Sequence, residues 1–511
     1  MISRRVLEGS RHESLEVANA VINKCKDMQI PVLKAKRTKA DGTAVYDTPA
    51  TKLPQVYLIL KAHKNPVAAR LICSTYNTQL ANMAASIVSP MNLCETVFKH
   101  MCEQVANFLH FGPASSWILK QSSDVVSRLR EVMKYPQCHN TPISVLDFTD
   151  MFTRFVQYDM KTQIREYLNL VFDYQAGKRV LATSDMLGVY SAFKSTADTK
   201  QSIKVLFSKY YRGQSKVNEA IWHSSDATAA CTHNILRYDA DSLAEVCDFL
   251  LSNAYLTYGN TVYRQTKGIP MGLPTSPQFA NAYAGIYEIK GVIKLSKTWQ
   301  QEHNAADRSA MLQAAWKWSR CIDDIAVYGW PTADQARQVL THNIYPPSVR
   351  DADGKPVDNP MQLNLERSGT DVHYLDINIH RGRNGTVNTT VCCKQEHLPT
   401  LRNYRPFPHI DSLISTPAKY NVYTAALHRF AKICSTPNGF SNNATKLMQK
   451  MVTHGYRYER LRTKLYEWLQ MQVFHAHRHN VSRGIWRRLM HDCNRKIRVM
   501  KKQSRMLRTQ A

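Results

Sequence analysis

Two adjacent aspartates inside an apolar run constrain this chain more than any other feature of its sequence. The stretch reads Cys321-Ile322-Asp323-Asp324-Ile325-Ala326-Val327-Tyr328. Apolar residues on both sides read as two short strands, which places the acids at the tip of a β-hairpin. Neighbouring carboxylates repel each other and destabilise a buried tip unless a cation neutralises them. Oxygen donors of this kind suit Mg²⁺. Taken alone, an Asp-Asp pair also has a plainer reading as a surface turn.

Three further elements narrow the choice. In Ile143-Ser144-Val145-Leu146-Asp147-Phe148-Thr149-Asp150-Met151-Phe152 a β-branched apolar strand ends in an acid and a turn follows. Asp147 at a strand end can project onto a neighbouring hairpin tip; its plainer role is a helix N-cap. Three carboxylates, Asp147, Asp323 and Asp324, suit a two-metal centre. One ion there lowers the pKa of an attacking hydroxyl, and the other clamps a triphosphate. The stretch from Gln265 to Pro277 holds Gly268-Ile269-Pro270-Met271-Gly272, a loop leading into a helix, with Ser276 expected as N-cap and Pro277 at the first helical position. Phe279, Tyr283, Ile286 and Tyr287 follow at helical spacing and read as core. Glycines in such a loop let a base and sugar approach the backbone closely, and the Gly-Lys-Ser/Thr of a P-loop is missing. Finally, a strand at Val56–Leu60 runs into a basic turn from Lys61 to Arg70 that includes Lys64. Cations on such a turn can grip an incoming triphosphate, although basic surface turns are common.

The order of these elements is more specific than any one of them. Basic turn, strand with a terminal Asp, Gly-Pro loop with helix, then Asp-Asp hairpin is the order of the fingers and palm of reverse transcriptases. The chain most resembles the reverse transcriptases of Penelope-like retroelements, which are related to telomerase. Lys61-Ala62-His63-Lys64 with Arg70 resembles their Pro-Lys-x-His-Lys and Arg-Pro-Ile segment. Gly268 to Gly272 with Ser276-Pro277 resembles their Gly-x-x-Met-Gly and Ser-Pro loop. Arg320-Cys321-Ile322-Asp323-Asp324 resembles Arg-Tyr-x-Asp-Asp, and Tyr374-Leu375-Asp376-Ile377 resembles the Phe-Leu-Asp that follows. His428-Arg429-Phe430 through Cys434-Ser435, and His454-Gly455-Tyr456, resemble thumb segments of the group. The likeness spans about residues 54 to 465. Leu71 stands where the group usually has proline and Cys321 where it usually has tyrosine. Neither a C-terminal nuclease of the GIY-YIG kind nor a second acidic cluster for an RNase H domain is visible.

Charge agrees with a nucleic-acid partner. The 511 residues carry 67 lysines and arginines against 40 acids, a formal charge of +27, with 44% apolar residues. A globular chain so basic needs a polyanion, and neither a membrane-length apolar run nor a signal peptide is visible. From Arg483 onward ten basic residues face one acid, Asp492, with Trp486, Leu489, Ile497 and Leu507 interleaved. One face of that helical stretch can pack while the other meets phosphate. The 12 cysteines form no C-x-x-C pair and read as reduced thiols. Cys392 and Cys393 are poor zinc partners if they lie on a strand. His475, His477 and His479 read as a solvated or RNA-facing helix before a metal site.

The resemblance implies an α+β right-hand polymerase with fingers, an antiparallel-sheet palm and a helical thumb. The expected division is a helical extension at 1–53, fingers at 54–142, palm at 143–395 with a fingers insertion near 175–239, thumb at 396–482 and a basic tail at 483–511. The implied activity is RNA-directed DNA polymerisation, with an RNA template, a DNA primer or RNA–DNA hybrid, dNTPs and two Mg²⁺ ions, in an intracellular and nuclear setting without a membrane. Asp147, Asp323 and Asp324 would hold the metals; Lys61, Lys64, Arg70, Phe152, Met271 and Gly272 would contact nucleotide. RNA-dependent RNA polymerases generally carry a second acid five residues after the first. Here Phe152 stands at that position, an aromatic wall that favours deoxynucleotides. The competing readings are an RNA-dependent RNA polymerase and a non-catalytic, domesticated RNA-binding protein on the same fold.

Overall fold

The computed structural model describes residues 11–302, 317–392, 407–475 and 491–496, apart from residues 36, 39–41, 46–47, 62–67, 109–115, 149–150, 178–200, 210–214, 225–234, 260, 383–384 and 494. Helices and strands are mixed along the chain. It divides into two units, one made of Met1–Ile118, Asp147–Asp323 and Asp334–Asn364, the other of Leu119–Leu146, Asp324–Ala333 and Leu365–Ala511. Among the described residues no helix is long and apolar enough to cross a membrane.

In the first unit, helix α1 (Arg11–Asp27) stops where Gln29 takes a φ of 56°. The Gln29 N–H donates back to Lys26 and the Ile30 N–H to Cys25, and Pro31 follows. A left-handed residue bonded into the last turn, then a proline, ends a helix. Two-residue strands β1 (Arg37–Thr38) and β2 (Ala44–Val45) pair antiparallel beyond it. The helical extension expected at 1–53 therefore also contains these short strands. Strands β3 (Gln55–Lys61) and β4 (Ala68–Ser74) form an antiparallel hairpin with Leu58 opposite Leu71 and Ile59 opposite Arg70. With β9 (Tyr255–Tyr258) and β10 (Thr261–Arg264) they make a sheet in the order β10-β9-β3-β4. Arg70 lies inside β4 and is exposed, not in the turn. Lys64 falls outside the described residues.

Helices α2 (Gln79–Phe108), α5 (Gln157–Gln175), α6 (Ala240–Ser252) and α7 (Ser276–Glu302) are the longer helices that follow α1 in this unit. Between α5 and α6, strands β6 (Gln201–Lys209), β7 (Ser215–Ser224) and β8 (Ile235–Tyr238) form an antiparallel sheet in the order β7-β6-β8. Asp239 then starts α6: its carboxylate accepts the Ser242 N–H at 2.8 Å, while its own N–H donates to the Ser242 hydroxyl at 3.0 Å. This reciprocal capping box satisfies two otherwise orphaned donors.

In the second unit, β16 (Asp371–Tyr374), β17 (Ile377–Arg381) and β18 (Val387–Val391) make an antiparallel sheet. Helices α9 (Thr416–Ile433), α10 (Pro437–Val452) and α11 (Tyr458–His475) enclose a core that includes Tyr423, Leu427, Phe440, Met448, Leu465 and Trp468. Cys493, from the basic C-terminal stretch, is buried in that core. Lys496 Nζ donates to Asn438 at 2.6 Å, Ser441 at 2.6 Å and Asn442 at 2.7 Å, and pairs with Asp492 at 3.0 Å. This part of the expected tail is docked on α10, and Lys496 serves inside the protein. His475 closes α11, while His477, His479, Cys393 and residues 497–511 fall outside the described residues.

One more sheet has the order β11-β12-β5-β15, from β11 (Trp318–Cys321), β12 (Asp324–Val327), β5 (Ile143–Phe148) and β15 (Leu363–Gly369). Every residue of β5 is buried except Asp147, which is half-buried. Strands covered on both faces read as continuous apolar runs, so one partly accessible acid at the end of such a strand stands out.

Candidate active site

The Asp-Asp pair sits where the apolar flanks require. Strand β11 runs buried up to Cys321, β12 runs buried from Ile325, and Ile322, Asp323 and Asp324 are the half-buried end of the hairpin. Ile322 and Asp323 form a two-residue turn in which Ile322 has a φ of 60°. Hairpin turns with a positive φ at the first central position ordinarily place glycine there. A β-branched residue in that conformation is strained, and such strain concentrates at functional sites. Across the turn, the Phe148 N–H donates to the Asp323 carbonyl at 3.2 Å. That bond brings the end of β5, where Asp147 stands, beside the turn that carries Asp323. Asp324 is the next residue along the chain, and its carbonyl accepts a hydrogen bond from the Tyr374 hydroxyl at 2.9 Å.

Beneath the turn lies a charged network that sequence reasoning missed apart from Arg320. Arg320 and Glu288 are both fully buried. The guanidinium donates from Nε to Glu288 Oε1 and from Nη2 to Oε2 at 3.2 Å. Its Nη1 reaches Asn281 Oδ1 at 2.8 Å and the Ile322 carbonyl at 3.1 Å. Glu288 also accepts from Trp117 Nε1 at 2.7 Å and from the Tyr345 hydroxyl at 2.7 Å. Burial works against the Arg320 charge, yet Glu288 more than offsets it and holds the guanidinium above its usual range. Burial, reinforced by the Glu288 charge, keeps Tyr345 protonated as a donor. A bidentate, fully satisfied pair fixes geometry that a surface pair does not. Here it fixes the carbonyl of the strained residue just before Asp323.

The Gly-Pro loop touches the turn that follows Asp147. The Gly268 N–H donates to Phe155 O and the Ile269 N–H to Phe152 O, each at 2.7 Å. A Cβ on Gly268 would lie 2.3 Å from Phe152 O, so this glycine is required by backbone contact. Gly272, at a φ of 127°, is similarly pressed on β4, where a Cβ would meet Cys73 O at 2.1 Å. The Cys73 N–H donates to Met271 O at 2.7 Å, and Thr75 Oγ1 donates to Gly272 O at 2.8 Å. The glycines of this loop, expected to admit a nucleotide, therefore admit protein backbone. They bring Met271 and Gly272 onto the strand that carries Arg70. Phe152 lies in α4 (Met151–Arg154) and is half-buried. Lys61 ends β3.

Helix α7 begins at Ser276, but not as expected. Thr275 O accepts the Phe279 N–H at 3.0 Å, which makes Thr275 the cap, and the Ser276 hydroxyl donates to Pro270 O at 2.7 Å instead. Phe279, Tyr283 and Ile286 are buried as their spacing requires, while Tyr287 is half-buried. The hydroxyls of Tyr283 and Tyr287 both donate to Asp159 Oδ2 in α5, the latter at 2.8 Å. Nothing in the sequence marked Asp159 as their partner. All ten described cysteines are free. Burial pushes the Cys25 thiol up to about 12 and that of Cys73 up to about 11.

Among the described residues no three Asp, Glu, His or Cys side chains are arranged to hold a metal ion by themselves. Mg²⁺ rarely needs such a cage: it retains water and takes one or two carboxylates with substrate phosphates. Asp147, Asp323 and Asp324 are each half-buried.

No protein-family model matches the sequence, and no curated protein matches it. Among solved structures, similarity extends to telomerase from Candida albicans in complex with the TWJ fragment of telomeric RNA. That match has 10% identity, 95% of this chain covered, 68% of that chain covered and a TM-score of 0.46. Apo telomerase from Candida tropicalis matches at 11% identity over 95% of this chain and 69% of that one, with a TM-score of 0.39. Nothing in these likenesses favours Penelope-like retroelements in particular.

Proposed function

We propose that the chain is an RNA-directed DNA polymerase of right-hand architecture that extends a primer on an RNA template, and that it belongs to a retroelement of the Penelope-like kind. The observation that carries the reading is the bond from the Phe148 N–H to the Asp323 carbonyl, which sets the Asp147 strand end beside the strained Asp-Asp turn. In this reading Asp147, Asp323 and Asp324 hold two Mg²⁺ ions. Bound Mg²⁺ supplies a lower pKa for the attacking primer hydroxyl and charge stabilisation for the leaving pyrophosphate. The chain's own residues orient the reactants. Arg320 fixes the turn through the Ile322 carbonyl. Arg70, exposed on β4, grips the triphosphate with Lys61 or Lys64, and Met271 and Gly272, in the loop packed against the same strand, border the nucleotide. Phe152 lies beneath the sugar and excludes a 2′-hydroxyl. The surplus of basic residues follows the phosphate backbone of template and hybrid, and the same basic tail would serve as a nuclear address.

The competing reading is a non-catalytic RNA-binding protein on the same fold. One assay separates the two. Purified protein is given a primed RNA template with dNTPs or NTPs, with Mg²⁺ or EDTA. The polymerase reading expects Mg²⁺-dependent extension with dNTPs. It also expects Asp323→Asn to lower the rate by about a thousandfold or more, the cost of losing several kcal/mol of transition-state stabilisation, with template affinity within a few-fold. Tight RNA binding without extension would establish the binder instead. Preferential use of NTPs would indicate an RNA polymerase.

A further inference from the structure

The chain contains a second hairpin built like the catalytic one. Tyr374 pairs with Ile377 across a two-residue turn, Leu375-Asp376, and Leu375 has a φ of 56°. As at Ile322-Asp323, an apolar residue occupies the strained position and an aspartate follows it. Observed strain is a reason to look for function, and this hairpin has the contacts to support one. The Tyr374 ring is fully buried, and its hydroxyl donates to the carbonyl of Asp324 at 2.9 Å. The Asp376 carbonyl accepts the Cys392 N–H at 2.7 Å, which ties the turn to the end of β18. Asp376 Oδ2 is paired with the guanidinium of Arg429 on α9, while Oδ1 is buried without a hydrogen-bond partner. A strained turn and a half-satisfied carboxylate both reduce stability. An arrangement selected for stability alone would have neither.

We infer that this hairpin is a positioning strut: Arg429 on α9 sets the Asp376 turn, and Tyr374 passes that setting to Asp324. The inference rests on the polymerase reading. A hydrogen bond to the Asp324 carbonyl restrains the peptide plane between Asp324 and Ile325, and with it the direction of the Asp324 carboxylate. Reacting groups tolerate little displacement, since a shift of about 1 Å can cost roughly a hundredfold in rate. Tyr374, Asp376 and Arg429 are thus positioning residues that act through Asp324.

The test uses the full chain in primer extension, with kcat, nucleotide KM, template affinity and thermal midpoint measured for Tyr374→Phe, Arg429→Ala, Arg429→Lys and the Tyr374→Phe/Arg429→Ala pair. The strut predicts a kcat about five- to tenfold lower in Tyr374→Phe, the change expected from one lost hydrogen bond, with KM and template affinity within about twofold. Arg429→Ala should act in the same direction and Arg429→Lys should recover part of the loss. Because the two residues act in series, the double variant should lose less than the product of the single losses. Unaltered kcat in Tyr374→Phe, or losses that multiply independently, would overturn the strut. So would a lower thermal midpoint with kcat intact. Wild-type protein that extends nothing would remove the polymerase reading itself, and the strut with it.

Discussion

Glu288→Gln is the sharpest perturbation of the network beneath the Asp-Asp turn. The wild-type carboxylate accepts four bonds, two from Arg320 and one each from Trp117 and Tyr345. A glutamine of the same shape keeps one acceptor oxygen but places an NH₂ group against donors, and it leaves the buried guanidinium without a counter-charge. Breaking a buried pair by removing one partner costs about 3–5 kcal/mol. At roughly 1.5 °C per kcal/mol for a unit of about 330 residues, the thermal midpoint should fall by about 5 °C. Differential scanning calorimetry of the two proteins measures this directly. A second variant separates stability from positioning. Replacing both partners with apolar residues, Arg320→Met with Glu288→Leu, removes the uncompensated charge and should restore much of the stability. It cannot restore the bond to the Ile322 carbonyl, so extension should remain well below wild type. A Glu288→Gln midpoint within 1 °C or so of wild type would refute the energetic argument. Full activity in the double variant would refute the positioning role.

Phe152→Val should raise use of ribonucleotides relative to deoxynucleotides by about tenfold or more, because a 2′-hydroxyl buried without a partner costs roughly 1–3 kcal/mol; equal loss for both sugars would mark Phe152 as packing. Arg70→Ala should raise the nucleotide KM and lower kcat/KM by about tenfold or more, in line with about 1.5–3 kcal/mol for a charge-assisted bond, whereas a change confined to template affinity would move Arg70 to the template path. For the basic C-terminus, a truncation at Ser482 is a poor probe, since it deletes Cys493 from the core and Lys496 from its contacts with α10. Replacing Lys501, Lys502, Arg505 and Arg508 with glutamine leaves both in place and should flatten the slope of log K against log salt by about 0.7–0.9 per lost phosphate contact. An unchanged slope would remove those four residues from the interface.

Much of the site was legible because it depends on local pattern. A β-branched apolar run and apolar flanks located β5, β11 and β12, and helical spacing identified Phe279, Tyr283 and Ile286 as core. What was not legible depends on distant partners. Glu288 sits in the middle of α7, and its partners Trp117, Arg320 and Tyr345 are scattered over more than two hundred residues of sequence. No spacing rule connects them. The same holds for Asp159 with Tyr283 and Tyr287. Lys496 could not be singled out for a related reason: a charge run marks a polyelectrolyte surface, but it does not reveal which cation the fold has already engaged.

The glycines and the strained residues make a linked point. Glycine is the residue usually expected in a tight turn, yet the chain places glycine at 268 and 272, where a side chain would collide with Phe152 O or Cys73 O. The two hairpin turns that end in aspartate hold Ile322 and Leu375 instead, both at positive φ. Glycine there would relieve strain, but it would also widen the range of conformations open to the turn. An isoleucine is stiff at χ1 and narrows that range. The surrounding bonds, from Arg320 to the Ile322 carbonyl and from the Cys392 N–H to the Asp376 carbonyl, can then hold one geometry against the strain. Rigidity at the acid is thus obtained at the expense of local stability. In the polymerase reading that exchange would be favoured, since a carboxylate that meets a metal and a phosphate tolerates little displacement.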